Sequence, residues 1–400
     1  MLIIFYVLAA LLIIQGLLSL REGFKFLYFA RKELNRPIGN YTPFVTIIAP
    51  CKGIDLGFRD NIAALFTQNY PDYEIIFVVE DSNDPATSEL PTLINQRPAK
   101  ARLVIAGRSN QNGQKVHNLL RGLADASDKS EVFVFVDSDA RPHRDWLRQL
   151  VAPLGSGDKE IGATTGYRWY LPVRRNLSGI FLSLWNGSVA TSLGPHKRNF
   201  AWGGSMAVKR ATFEELKITE AWQGIVSDDF AVTNAVKRAG KYVRFVPQCL
   251  IVSYEDCSFA QLLEFTTRQM IITRVYSPDI WRLAWVAHIL FNTTFYFGIA
   301  FTIYRFTHVQ SVFWPVILLA VIYFLGAWKG WLRYRAISLL RPDHQHELRQ
   351  LAWAYVLLPA FSSLLWLYNL IASASTRRIT WRGITYELRS RKETIIISRP

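Results

Sequence analysis

Residues 1–20 form an apolar run with polar side chains only at Gln15 and Ser19, and Arg21, Lys25, Arg31 and Lys32 follow it. About 20 such residues span a bilayer, and basic residues trailing the run keep the next segment in the cytosol. The charge follows the run and no small-x-small site closes it, so the pattern predicts an uncleaved anchor rather than a signal peptide. From Phe44 to Arg274 the pattern changes. Short β-rich apolar runs recur at 45–49, 74–79, 101–105, 132–136 and 242–246, and stretches of helical periodicity such as 60–69 and 116–126 lie between them. Strands alternating with helices predict an α/β domain with a mostly parallel sheet, and ligands of such sheets gather at the strands' carboxyl ends. Long apolar runs return at 284–306 and 312–328, joined by the polar link 307–311, and again at 351–374, where Pro359 falls near the middle. The tail, 375–400, is basic and aromatic. Three full crossings after a cytosolic domain would put this tail outside, where its charge does not belong. The expectation is therefore that 351–374 dips into the membrane and returns around Pro359.

Composition narrows the partners. Half of the 400 residues are hydrophobic, and 46 Lys and Arg against 31 Asp and Glu leave a net charge of +15. That excess favours anionic partners. Much of it sits beside apolar runs, at 329–341 and 377–392, which points to a membrane surface. No compact basic-aromatic module stands apart from the apolar segments, so no nucleic-acid partner is expected. Cys51, Cys249 and Cys257 form neither a disulfide framework nor a zinc motif.

Chemistry concentrates in acidic residues at strand ends. The strand VFVFV runs into Asp137-Ser138-Asp139. Two carboxylates two residues apart just beyond a strand can face one spot, and that suits a hard divalent cation completed by phosphate oxygens and water. A solvated acidic turn is the bland alternative. A second cluster, Glu80, Asp81 and Asp84, ends another strand, and Asp228-Asp229 opens an amphipathic helix that stops at Gly240. Asp228 alone would serve as an N-cap. A close pair at a helix start pushes its two pKa values apart, and one member can then act as a base near neutral pH. Lys115, ahead of a helix, can neutralise a pyrophosphate. In WGGSMAVKR, Gly203 and Gly204 let backbone approach a ligand closely.

In order, PCKG, VVEDSNDPA, GQKVHN, VDSDAR, GGSMAVKR and SDDFA resemble the motifs of the inverting GT-A glycosyltransferases. Asp84-Pro85-Ala86 and the apolar layout resemble the ceramide glucosyltransferase-like branch, over roughly residues 1–390. The resemblance implies an α/β, Rossmann-like GT-A catalytic domain with one N-terminal and about three C-terminal membrane segments. It divides the chain into an anchor (1–40), a cytosolic catalytic domain (41–257), an interfacial helix (258–280), membrane helices (281–374) and a cytosolic tail (375–400) carrying TWRGITYEL. It implies Asp81, Asp84, Lys115, Asp137 and Gly204 on the nucleotide-sugar, Asp137 and Asp139 on a Mg or Mn ion, and Asp229 as base beside Asp228, where the family has Glu. The implied donor is UDP-glucose or a related UDP-hexose, and the implied acceptor a lipid hydroxyl such as that of ceramide. Diacylglycerol, a hopanoid or polyprenyl phosphate remain alternatives, as does an inactive relative serving as an interaction protein. One stretch departs from the pattern. The family has Gln or Arg, two residues, then Arg-Trp; here Arg268 fits, but Ile271 and Ile272 replace Arg-Trp. Arg268, Gln269 and Arg274 are left as the expected diphosphate contacts on that helix.

Overall fold

A computed structural model describes residues 2–96 and 100–400, with Met1, the first residue of the apolar run, outside them. The chain forms two compact units, one of residues 32–173, 192–255 and 377–400, the other of 1–31, 174–191 and 256–376.

The first unit is built on a seven-stranded sheet in the order β3-β2-β1-β4-β6-β5-β7. Its strands are β1 (Val45–Pro50), β2 (Tyr73–Val79), β3 (Lys100–Ile105), β4 (Val132–Val136), β5 (Ile161–Pro172), β6 (Ser205–Lys209) and β7 (Tyr242–Glu255). β1 pairs in parallel with β2 and β4, and β2 with β3. β2 and β4 are buried along their whole length, as expected of parallel strands covered on both faces. Each buried Val or Ile contributes about 1.5–3 kcal/mol. β6 runs antiparallel to β4, with Ser205 opposite Val136. That pairing carries the glycines before β6 to the carboxyl end of β4.

Three parts of this unit differ from the sequence reading. Residues 202–210, singled out in the sequence for Gly203 and Gly204 alone, contain β6. The strand read as 242–246 continues to Glu255, because the register with β5 shifts between Thr165 and Tyr167 and absorbs Pro247. A proline in a strand is tolerated at such irregularities. The tail is a three-stranded antiparallel sheet of β8 (Arg378–Trp381), β9 (Ile384–Ser390) and β10 (Glu393–Ser398). Its alternate residues Ile379, Ile384, Tyr386 and Leu388 are buried, a period-2 face. Tyr386 Oη accepts from the Gln114 amide at 3.1 Å, and Arg399 donates to Glu80 at 2.6 Å and to the Ser109 carbonyl at 2.5 Å.

The second unit is helical. Helices Leu2–Leu34, Pro278–Thr307 and Phe313–Leu340 are long and apolar enough to cross a membrane. A π-helical turn at Thr293–Phe297 interrupts the second. Gly16 and Gly23 face Leu325 and Leu332, where a Cβ would sit 2.9 and 3.0 Å from the leucine methyls; small residues bring membrane helices close in this way. Pro342–Leu357 and Pro359–Ser375 form a pair bent by 77° at the Pro359 break. The helix Phe259–Tyr276 opens on a capping box, Ser258 with Gln261, and packs against Pro359–Ser375.

Candidate donor and catalytic site

The carboxyl ends of β1, β2 and β4 share one edge of the sheet, and the predicted acidic residues lie there. Asp137 and Asp139 follow β4 directly. Lys115 is in the first turn of the helix Gln114–Ala124, where its charge opposes the helix dipole. Two carboxylates offset that: its Nζ lies 2.8 Å from Asp137 Oδ1 and 3.3 Å from Asp228 Oδ1. Asp228 and Asp229 open the helix Asp228–Arg238, whose last turn carries Lys237 and Arg238 and whose end is marked by Gly240 at φ 70°. Acid at the start and base at the end complement the dipole.

Asp228 is 2% exposed, and its Oδ2 has no hydrogen-bond partner. Burial, with the Asp229 and Asp137 charges, pushes its carboxyl up to about 7 against the pull of Lys115. The same neighbours hold Lys115 protonated above the usual lysine range, against its burial. Asp137 is kept low by Lys115 and Arg168 despite its burial. Asp229 is half-buried, and its Oδ1 accepts from the Ser227 hydroxyl and, at 2.7 Å, from the Phe230 amide. Gly203 backs the pair: a Cβ there would stand 2.1 Å from Asp228 Oδ2 and 2.9 Å from Lys115 Nζ. At Gly204 a Cβ would meet the Trp202 ring at 2.1 Å.

Four residues that sequence reasoning missed complete the cluster. Arg168, on β5, donates to Asp137 Oδ2 at 2.7 Å, to Asp139 Oδ2 at 2.9 Å and to the Tyr170 hydroxyl at 2.6 Å. Its guanidinium lies over Trp202, 4.6 Å from the ring centroid. Asp55, in the loop after β1, accepts from the Ser138 hydroxyl at 3.1 Å and pairs with Arg382 at 2.6 Å. Glu255 ends β7, and burial together with Asp139 pushes its carboxyl up to about 7. Buried arginines on an apolar strand leave no periodic signal. Asp55 was in view, in PCKGID, without a partner to mark it.

Asp81 and Asp84 follow β2. Asp84 Oδ1 caps the helix Pro85–Asn95 through the Ala86 amide and accepts from the Gly53 amide, both at 2.9 Å. Asp81 accepts from the Asn83 amide at 2.8 Å. Arg268, Gln269 and Arg274 belong to the helical unit. Arg268 lies over the Phe265 ring, and Arg274 donates to the carbonyls of Ser373 and Ala374 at 2.6 and 2.8 Å. Ile271 and Ile272 are buried.

A family model described as glycosyl transferase family 21 matches residues 4–394. The chain belongs to that family. Among curated relatives of this family 21 chain, a ceramide glucosyltransferase of Komagataella phaffii is 31% identical over 142 residues, 34% of this chain and 26% of the relative. One from Gibberella zeae is 29% identical over 164 residues, 38% of this chain and 30% of the relative. The matches thus span less than a third of those enzymes' own lengths. Among solved structures, a mannosyltransferase from Pyrobaculum calidifontis in complex with GDP-Man and Mn2+ aligns at 19% identity over 92% of this chain and 98% of its own, with a TM-score of 0.47.

A divalent cation fits the chemistry of the family 21 cluster. Asp137 and Asp139 supply the one or two carboxylates that Mg2+ commonly takes from protein, and Asp139 Oδ1 is buried without a hydrogen-bond partner. Among the described residues no three His, Cys, Asp or Glu side chains gather as a cage. Arg168 spans the same two carboxylates, so a cation bound there competes with its guanidinium.

Proposed function

We propose that this chain transfers a hexose, glucose being the first candidate, from a nucleotide-diphosphate donor to a lipid hydroxyl such as that of ceramide, at the cytosolic face of a membrane. The observation that carries the reading is the Lys115–Asp137–Asp228 cluster at the sheet's carboxyl edge, in a chain that belongs to glycosyl transferase family 21. Local likeness to ceramide glucosyltransferases supports the acceptor class.

Asp137 and Asp139 would hold a divalent cation, which supplies Lewis-acid stabilisation of a leaving diphosphate. Lys115 adds positive charge beside it. Asp229, the more accessible carboxylate of its pair, takes the proton of the acceptor hydroxyl. The acceptor oxygen bonds to the anomeric carbon as the bond from that carbon to the diphosphate oxygen breaks. One displacement inverts the centre, and the nucleoside diphosphate departs with the electron pair. Asp228 stays against Lys115 and fixes its position.

Release of UDP from UDP-glucose by the purified chain in ceramide-containing vesicles tests the reading. Asp229→Asn is expected to keep UDP binding while turnover falls about 10²–10⁴-fold, roughly 3–5 kcal/mol of barrier. No UDP release with ceramide, diacylglycerol or polyprenyl phosphate would favour the interaction-protein alternative. Ile271 and Ile272, buried where the family has Arg-Trp, favour a weakly polar acceptor over a phosphorylated one, since they offer neither a guanidinium fork nor an indole.

Parity supports that orientation. The tail strands belong to the same unit as the sheet, so an even number of crossings separates residue 255 from residue 377. Pro278–Thr307 and Phe313–Leu340 supply two, and the bent pair around Pro359 then enters and leaves by one face. Basic residues after the first apolar run favour the cytosol for that face.

A further inference from the structure

The tail sheet touches the α/β domain where a donor would bind. Arg399 reaches Glu80 after β2 and the Ser109 carbonyl after β3, Tyr386 meets the first amide of the helix Gln114–Ala124, and Arg382 reaches Asp55 after β1. All four are carboxyl-edge positions of a parallel sheet, the edge at which ligands of such sheets bind.

Arg382 stands apart from the other anchors. Trp381 and Ile384 are directly paired, so Arg382 and Gly383 form a two-residue turn, with φ of 53° and 79°. Such turns favour Asn-Gly, and a long side chain in the left-handed region carries a steric cost. The sequence keeps an arginine there. Its Nη2 lies 2.6 Å from Asp55 Oδ1, and its side chain is 42% exposed. Its charge acts on Asp139 and Asp137 as well as Asp55, and on Glu255. Asp55 in turn holds the Ser138 hydroxyl, between the two aspartates that would take the cation. A partly exposed guanidinium whose charge acts on a carboxylate pair suited to a divalent cation matches a diphosphate, whose oxygens it can bind in bidentate fashion.

We propose that the tail sheet is part of the donor site and that Arg382 binds the diphosphate of a nucleotide-sugar, exchanging Asp55 for phosphate oxygens. This rests on reading the carboxyl edge as a donor site. The purified full chain in nanodiscs, titrated with UDP and with uridine in the presence of Mn2+, tests it. Arg382→Gln, which retains a hydrogen-bond donor for Asp55, is expected to weaken UDP at least tenfold and to change uridine by less than twofold; Arg382→Lys should recover part of the loss. Asp55→Asn, which frees the guanidinium, is expected to bind UDP at least as tightly as wild type. If Arg382 only latches the tail, Asp55→Asn and Arg382→Gln lower the thermal midpoint alike and leave the ratio of UDP to uridine affinity unchanged, and that result overturns the proposal. Wild-type chain that binds neither UDP nor GDP would instead overturn the donor-site reading itself.

Discussion

Arg168 shows how much of the site is settled by single charges. Its guanidinium spans Asp137 and Asp139 at 2.7 and 2.9 Å, with a side chain only 12% exposed. Removing one partner of a buried ion pair costs about 3–5 kcal/mol, because the remaining charges are stranded. Arg168→Met is therefore expected to lower the thermal midpoint in EDTA, and Mn2+ should restore more of it than it adds to wild type. A midpoint insensitive to Mn2+ in both proteins would show that the aspartates take no cation. Asp228 makes a pH-dependent contribution. Its carboxyl titrates near 7 in the fold and near 4 when unfolded, so between those values the folded chain binds the extra proton. Its contribution is fully present below pH 4 and is lost as pH rises through 7, with a slope of at most about 1.4 kcal/mol per pH unit. Asp228→Asn should flatten this part of a denaturation series run from pH 4.5 to 8.

At the level of elements, β6 places the glycines and the glycines admit the acid pair. Gly203→Ala puts a methyl against Asp228 Oδ2 and Lys115 Nζ, so the expected outcome is loss of UDP binding with the sheet's circular dichroism intact. Retained binding would mean that Asp228 and Lys115 move apart without consequence. Strands with continuous Val, Ile and Phe, such as 132–136, were legible because fully buried parallel strands need such runs. The D-x-D and Asp-Asp motifs were legible because each sits at the end of an element with a clear period. β7 was read short because Pro247 resembles a strand end, and only pairing with β5 shows the irregularity that accommodates it. The tail sheet was hidden by its charge. Ile379, Ile384, Tyr386 and Leu388 alternate with polar residues, yet the charge of Arg377, Arg378, Arg382, Arg389, Arg391 and Lys392 turned the reading toward a membrane surface. Arg168 left no sequence signal, since its partners lie 31 and 29 residues away.

For the whole molecule, the orientation is the decisive question. A cysteine at Ser311, in the link between the helices Pro278–Thr307 and Phe313–Leu340, is expected to react with an impermeant maleimide in intact cells. One at Ser398 is expected to react only after permeabilisation. Labelling of both in intact cells would rule out a re-entrant pair at Pro359. The arrangement also sets a timetable for synthesis. The α/β unit draws on 32–173, 192–255 and 377–400, with residues 256–376 belonging to the helical unit. A ribosome therefore releases Tyr386 and Arg399, the partners of Gln114 and Glu80, only after every candidate membrane helix has been made. A half-translated chain exposes an unfinished carboxyl edge, and the tail sheet covers it only once every candidate membrane helix has been synthesised. The carboxyl edge is thereby the last part of its unit to be completed, after all of the long apolar helices have left the ribosome.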